Sequence, residues 1–188
     1  MKQRRLKTLL ANDISLLAYH LPLDVHPEVG NNVQLARQLD ITVEGPLEPD
    51  NTRTVGLLGS LAQPLSARDF ARRVHDVLGR EPLLVEEDRL VSRIGWCTGG
   101  GQGYIDQAIA AGVDLYLTGE ASEQTYHSAR ENGVSFIAAG HHATERYGVQ
   151  ALGEYLSRRF AIEHLFIDCP NPILSLIHIS EPTRQAEI

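Results

Sequence analysis

The sequence predicts an α/β fold, a mostly parallel β-sheet with flanking helices. From residue 90 onward, short β-rich apolar runs alternate with runs of helical period, at spacings that fit right-handed β-α-β crossovers. The composition agrees, because 43% apolar and 22% charged residues are typical of a soluble globular protein. With 188 residues, the chain can bury one sizeable core or two small ones.

The first third of the chain predicts short elements. Leu6, Leu9 and Leu10 share one face of an amphipathic helix over residues 2–11. The run Ile14–His20 is typical of a strand that enters a loop at 21–24, which places His20 and Asp24 near the carboxyl end of that strand. Further elements are a short helix at about 32–39, whose Asn31-Asn32 start can cap it, and short strands near 42–44 and 55–58.

A longer helix is predicted over residues 66–78. Ser66 and Asp69 resemble a capping box, Leu65 and Phe70 can form a hydrophobic staple, and Gly79 can supply a left-handed stop. The regular second half then gives strands at 90–97, 113–117, 134–139 and 165–168, and helices at 104–111, 121–131 and 143–159. Parallel strands bring the residues near 98, 118 and 140 to the same edge of the sheet.

The run Gly140–Glu145 follows one of these strands and contains a His-x-x-x-Glu pair. If a helix has begun by His141, then His141 and Glu145 lie on one helical face and can bind the same metal ion, while His142 points elsewhere. An ordinary polar helix face is the alternative. Glu120, Glu123 and His127 are spaced to share a face of the preceding helix, and Glu120 lies at the same sheet edge as His141.

The glycine-rich run 99–103 permits two interpretations. Its backbone N–H groups can bind an anion at the start of a helix, or the run can be a tight structural turn. Cys97 and Cys169 each end an apolar run, which predicts reduced, buried thiols rather than a zinc site.

Charge and hydropathy exclude several classes of partner. Seventeen Lys and Arg against 24 Asp and Glu give a net charge of −7, which argues against broad nucleic-acid binding. The sequence has no apolar run of about 18 residues and no signal peptide, so we expect a cytoplasmic protein without a membrane partner. Residues 174–188 include LSLIHISEPTR, which looks like a translated sequencing adaptor and predicts a non-native read-through tail after a domain at 1–173.

Three blocks together closely resemble the NIF-three-like family, whose members are often labelled GTP cyclohydrolase I type 2 homologues. The blocks are His20–Asp24 with Gly30-Asn31-Asn32, Trp96–Gly101 with Thr118-Gly119-Glu120, and Gly140–Arg146. The resemblance runs from about residue 1 to Pro172 and implies a toroidal homohexamer, a trimer of dimers, with two divalent metal ions per subunit. Met1 matches an internal point of the family's sequence, so we expect a fragment that lacks the family's preceding α/β unit and its paired histidines.

The resemblance also assigns roles to residues. Asp24, His141 and Glu145 match the family's metal ligands, which suit Zn, Mn, Fe or Ni. His20 and His142 are candidates to support those ligands, and Glu120 and His127 are candidate acid/base groups. The leading hypothesis is metal-dependent hydrolysis of a nucleotide-like substrate, in which the metal ions activate a water molecule.

Two other functions stay open from the sequence. One is a non-catalytic, metal-binding hexameric scaffold or regulator, for example in a DNA-damage response. The other is a redox or structural α/β domain that uses Cys97, which requires a thiol with a perturbed pKa in an electropositive site.

Overall fold

The computed structural model describes residues 2–51, 53–86 and 88–171. Its helices are α1 (Lys2–Ala11), α2 (Leu21–Asp24), α3 (Asn31–Gln38), α4 (Ala67–Leu78), α5 (Ile105–Ala110), α6 (Glu123–Asn132), α7 (His141–Thr144) and α8 (Tyr147–Phe160), with a 3-10 turn at Gln102–Tyr104. Its strands are β1 (Ile41–Pro46), β2 (Leu57–Ser66), β3 (Leu83–Val85), β4 (Leu90–Cys97), β5 (Leu115–Thr118) and β6 (Ser135–Ala138).

The six strands form one mixed sheet in the order β1-β2-β4-β5-β6-β3. The predicted α/β class with flanking helices is confirmed, but parallel pairing is confined to β4, β5 and β6. The pairs β1/β2, β2/β4 and β3/β6 are antiparallel, so the sheet as a whole is not mostly parallel. The three parallel strands are the ones that the regular second half of the sequence predicts.

Side-chain alternation along the central strands builds a core on each face of the sheet. Ile94 and Trp96 pack with Phe70 and Val74 of α4 on one face. The intervening side chains, including Tyr116, pack on the other face with residues of α5 and α6. Trp96 and Tyr116 are fully buried, so both faces of the central strands are covered by helices.

The helix predicted over 66–78 is confirmed, including its ends. The Ser66 hydroxyl accepts a hydrogen bond from the Asp69 N–H at 3.0 Å, and Gly79 adopts the left-handed conformation with φ 68°. The Asn31-Asn32 cap is wrong, because Gly30 is the N-cap of α3 and both asparagines lie inside the helix with buried side chains.

Two predicted strands are wrong. Residues 14–20 and 165–168 form no strand, and most of their large apolar side chains are exposed, including Leu16, Leu17, Leu165 and Ile167. The helix expected over 143–159 is divided into α7 and α8 at Glu145 and Arg146, and the short edge strand β3 was not predicted. The expected read-through tail, 174–188, lies outside the described residues.

No helix in the described ranges is long and apolar enough to span a membrane.

Candidate metal site

The candidate site lies at the carboxyl ends of the three parallel strands. These strands end at Cys97, Thr118 and Ala138. The segments that follow them carry Gly99, Glu120 and His141, the first residue of α7, and the backbone N–H of Gly119 donates to the carbonyl oxygen of Gly99 at 2.9 Å. This is the edge at which open α/β sheets bind ligands, and the sequence predicted this convergence.

His141 lies between two carboxylates. Its Nδ1 is 2.6 Å from Glu120 Oε1, and its Nε2 is 3.0 Å from Glu145 Oε2. Since α7 begins at His141, the predicted i,i+4 pairing of His141 with Glu145 is formed across the first turn. Each ring nitrogen therefore faces one carboxylate oxygen.

Burial and neighbouring charges shift the pKa of His141 in opposite directions. Burial lowers the pKa of His141, but the hydrogen bond to Glu120 and the charges of Glu145 and Glu120 outweigh it, so the net pKa is raised. For Glu145, burial raises the pKa, the charge of His141 lowers it, and the charge of Asp24 raises it. The net pKa of Glu145 is raised. Asp24 is therefore close enough to Glu145 for their charges to interact.

Two glycines allow the backbone to approach the His-Glu pair. A Cβ atom at Gly99 would overlap Glu145 Oε1 and lie 3.0 Å from His141 Nε2, and Gly99 has φ +66°. A Cβ atom at Gly119 would lie 2.9 Å from the backbone nitrogen of His141. A side chain at Gly119 would therefore collide with backbone atoms, and one at Gly99 would require Glu145 to move.

The glycine-rich run is a structural turn. The Gly99 N–H donates to the Thr144 hydroxyl at 3.0 Å, and the Gly101 N–H donates to the Thr118 hydroxyl at 3.1 Å. The Tyr116 hydroxyl donates to the carbonyl oxygen of Gly101 at 2.7 Å. Because these two N–H groups already have internal acceptors, they are not directed at an anion, and this favours the structural interpretation over the phosphate cradle.

Asp24 is held by two buried asparagines. Asn31 Nδ2 donates to Asp24 Oδ1 at 2.8 Å, and Asn31 Oδ1 accepts from the backbone N–H of Gly148 in α8 at 2.8 Å. Asn32 donates to the backbone oxygens of Asp24 and Val55, and its own side-chain oxygen accepts from the Thr98 N–H at 2.9 Å. The Asp24 carboxylate is therefore fixed relative to α8 and to the end of β4.

The other predicted residues have different surroundings. His20 is exposed, and its charge has a small lowering effect on the pKa of Glu145. His142 points away from His141, as predicted, and its Nε2 lies 2.9 Å from Asp168 Oδ1.

The prediction that Glu120 and His127 share one face of a helix is wrong. Glu120 precedes α6, which begins at Glu123. The Glu120 side chain contacts His141 and Gln102 instead. His127 is exposed and its ring packs edge-on against Tyr126.

The redox interpretation of Cys97 is not supported. Burial, together with the charges of Asp24 and Glu145, raises the pKa of the Cys97 thiol to about 12, so the thiol stays protonated. Cys169 is exposed rather than buried, which corrects the sequence-based expectation for that residue.

The donor set fits part of a divalent metal site. Imidazole nitrogen and carboxylate oxygen are ligands that Zn, Mn, Fe and Ni accept, and His141 and Glu145 present one of each within 3.0 Å. Within the ranges that the structure describes, however, no three His, Cys, Asp or Glu side chains form a group that could hold an ion. His141 and Glu145 are thus two candidate ligands, and Asp24, whose charge acts on Glu145, is the third candidate.

Sequence reasoning named four of the surrounding polar residues only as parts of motifs and gave them no role in positioning the candidate ligands. Asn31, Asn32, Thr118 and Thr144 are all buried and bond across elements. The signal that could have revealed this role is the pair of adjacent asparagines seven and eight positions after Asp24, and the threonine directly before Glu145.

Comparison with known proteins identifies the relatives of this chain. The family model described as Duf34/NIF3 (NGG1p interacting factor 3) matches residues 1–172. A Pseudomonas aeruginosa protein named "GTP cyclohydrolase 1 type 2 homolog" is 80% identical over 172 residues, which cover 92% of this chain and 68% of that protein. A Haemophilus influenzae protein of the same name is 53% identical, with coverages of 92% and 69%.

Solved structures of similar proteins share the fold of this chain. The protein ybgI, described as of unknown function, superimposes with a TM-score of 0.87 at 52% identity, covering 92% of this chain and 69% of ybgI. A protein from Thermus thermophilus superimposes with a TM-score of 0.80 at 33% identity, with coverages of 91% and 67%.

Proposed function

The chain belongs to the Duf34/NIF3 family, and from this premise we propose that it binds divalent metal ions through His141, Glu145 and Asp24 and hydrolyses a nucleotide-like substrate beside them. The name of its relatives, a homologue of GTP cyclohydrolase 1 type 2, suggests a purine nucleotide as the substrate class. Two ions per subunit and a hexameric ring belong to the same proposal.

The observation that supports the proposal most directly is the position of His141 between Glu120 and Glu145. Metal-binding histidines usually donate their second ring N–H to a carboxylate, which fixes the tautomer and the ring orientation. Glu120 Oε1, at 2.6 Å from Nδ1, supplies this carboxylate and leaves Nε2 on the side of Glu145. Glu120 is thus a positioning residue for His141.

The chain's own residues prepare the site. Asn31 holds the Asp24 carboxylate, and the turn at Gly99 keeps side chains away from Glu145. A bound divalent ion supplies a Lewis acid that lowers the pKa of water and polarises a phosphoryl or ring-carbon centre.

The experiment combines metal content with turnover. We expect the purified chain to retain a divalent metal, measured by plasma mass spectrometry, and to lose most of it in H141A and D24A. His127→Ala is the matched control for metal content, because His127 is exposed and packs against Tyr126. Unchanged metal content in both H141A and D24A would exclude the site. Release of product from a panel of purine and pyrimidine nucleotides tests the hydrolysis.

A second function, a non-catalytic metal-binding scaffold, is favoured by one observation. The carboxylate of Glu120 already contacts His141 and Gln102, and His127 faces solvent. Neither acid/base candidate is thus placed to act on a substrate in this chain. Retained metal without turnover on any nucleotide of the panel would select this function over hydrolysis.

A further inference from the structure

A polar cavity lies beside α7, next to His142. It has a volume of about 750 Å³, and its lining includes Arg80, His142, Arg146 and Asp168. Two arginines and one histidine thus line the same cavity as a single carboxylate, in a chain whose net charge is −7. The cavity therefore gathers positive charge within an acidic protein.

Arg146 is fixed in position before any ligand arrives. One guanidinium nitrogen donates to the carbonyl oxygen of Leu78 at 3.1 Å and to the Tyr147 hydroxyl at 3.3 Å. The guanidinium also lies 5.3 Å from the centre of the Tyr147 ring. Its other terminal nitrogen remains directed towards the cavity, where it meets Asp168.

Asp168 occupies the position that an external oxyanion would take. Its Oδ1 lies 2.9 Å from His142 Nε2, and its Oδ2 accepts from Arg146 at 3.3 Å. Two oxygens of one anion thus meet donors from α7 and from the α7–α8 turn, as a phosphate oxygen pair would. Residues 162–171, which carry Asp168, form neither helix nor strand.

We propose that this cavity is a binding site for a phosphate-class oxyanion, and that Asp168 is an internal anion that competes for it. The site goes beyond the proposed function because it uses none of His141, Glu145 or Asp24. Arg146 and His142 bind the anion, and Arg80 contributes its charge from the wall beside Gly140, where a Cβ atom would lie 2.7 Å from the Arg80 guanidinium.

Calorimetric titration of inorganic phosphate into the full chain at pH 7 tests the proposal. A chelator keeps metal ions out, so the result is independent of the metal site. We expect D168N to bind phosphate about tenfold more tightly than the wild type, because the competing charge is removed. We expect R146Q to bind at least about tenfold more weakly, whereas R158Q, on the exposed end of α8, leaves the affinity unchanged.

The proposal is overturned if phosphate binds neither the wild type nor D168N, or if both bind it equally. Since Arg146 also bonds to Leu78, circular dichroism checks the fold of R146Q, and D168N decides the question if that variant is unfolded. Titration with guanosine monophosphate identifies the source of the anion. If guanosine monophosphate binds more tightly than inorganic phosphate, the site recognises the phosphate group of a nucleotide. If the two bind equally, the site recognises the free anion.

Discussion

His141 and Glu120 are 21 positions apart in the sequence, yet Nδ1 of one lies 2.6 Å from Oε1 of the other. The contact exists because β5 and β6 are parallel neighbours, so the loops after them meet at one edge. The orientation of the candidate metal ligand thus depends on a residue from another strand.

Glu120→Gln tests this dependence. The variant keeps the shape of the side chain but removes its charge, so we expect the pKa of His141 to fall towards its ordinary value. We also expect metal affinity to fall about 10- to 100-fold. Imidazole NMR signals followed through a pH titration measure the first effect, and calorimetry measures the second. Glu123→Gln, at an exposed position of α6, is the control and leaves both unchanged.

The stability of the chelator-treated protein will depend on pH through His141. Its folded-state pKa is raised, so its contribution is fully present below the unfolded value of about 6.5 and is lost as the pH rises through the folded value. Glu145, whose pKa is also raised, acts in the same direction at lower pH. The midpoint of thermal unfolding of the wild type, minus that of H141Q, should shrink between pH 6 and pH 9. A difference that grows with pH would contradict this.

Asn32→Ala will destabilise the fold. The Asn32 side chain is buried, and its loss leaves the Thr98 N–H and the carbonyl oxygens of Asp24 and Val55 without this partner. We expect a decrease of about 3 kcal/mol in the free energy of unfolding, measured in urea. Asn132→Ala is the control, because it removes an exposed side-chain hydrogen bond at the end of α6. We expect it to change the free energy of unfolding by less than about 0.5 kcal/mol. Equal effects would show that burial is not the cause.

Gly99→Ala and Gly79→Ala separate backbone strain from steric exclusion. Both glycines have positive φ, at +66° and +68°, but of these two only Gly99 would bring a Cβ against another group, the Glu145 carboxylate. We expect G79A to lower stability by about 1–2 kcal/mol and to retain metal. G99A should lower stability further and lose metal, because Glu145 must move. Equal metal content in the two variants, measured by mass spectrometry, would contradict the proposed role of Glu145.

The two cysteines will differ in reactivity. The Cys97 thiol is buried and its pKa is raised to about 12, whereas Cys169 is exposed. We expect iodoacetamide at pH 8 to alkylate Cys169 alone in the folded protein, and both residues in guanidinium chloride. Peptide mass spectrometry distinguishes the sites. Rapid native labelling of Cys97 would restore the redox interpretation.

The sequence predicted those parts of the molecule that local patterns determine. Helix α4 carries its own cap and stop, and the His141–Glu145 pair requires only one helical turn. The three parallel strands were predicted because each is a short apolar run that alternates with a helix. Their shared edge then followed from topology.

The remaining features depend on distant partners. Residues 14–20 have β-rich composition, but a strand needs a neighbour, and none pairs with them in the described chain. The short strand β3 was not predicted because its three residues form a strand only by pairing with β6, about 50 positions later. Asn31 reads locally as a helix cap, and only the folded chain shows that it bonds to Asp24 and Gly148.

The bond from Gly148 to Asn31 spans 117 positions. Asn31 also bonds to Asp24, so the carboxylate of Asp24 has its complete set of neighbours only after α8 has docked against α3. The proposed cation would meet its binding groups only after this long-range contact has formed, so it would consolidate the native structure rather than nucleate it.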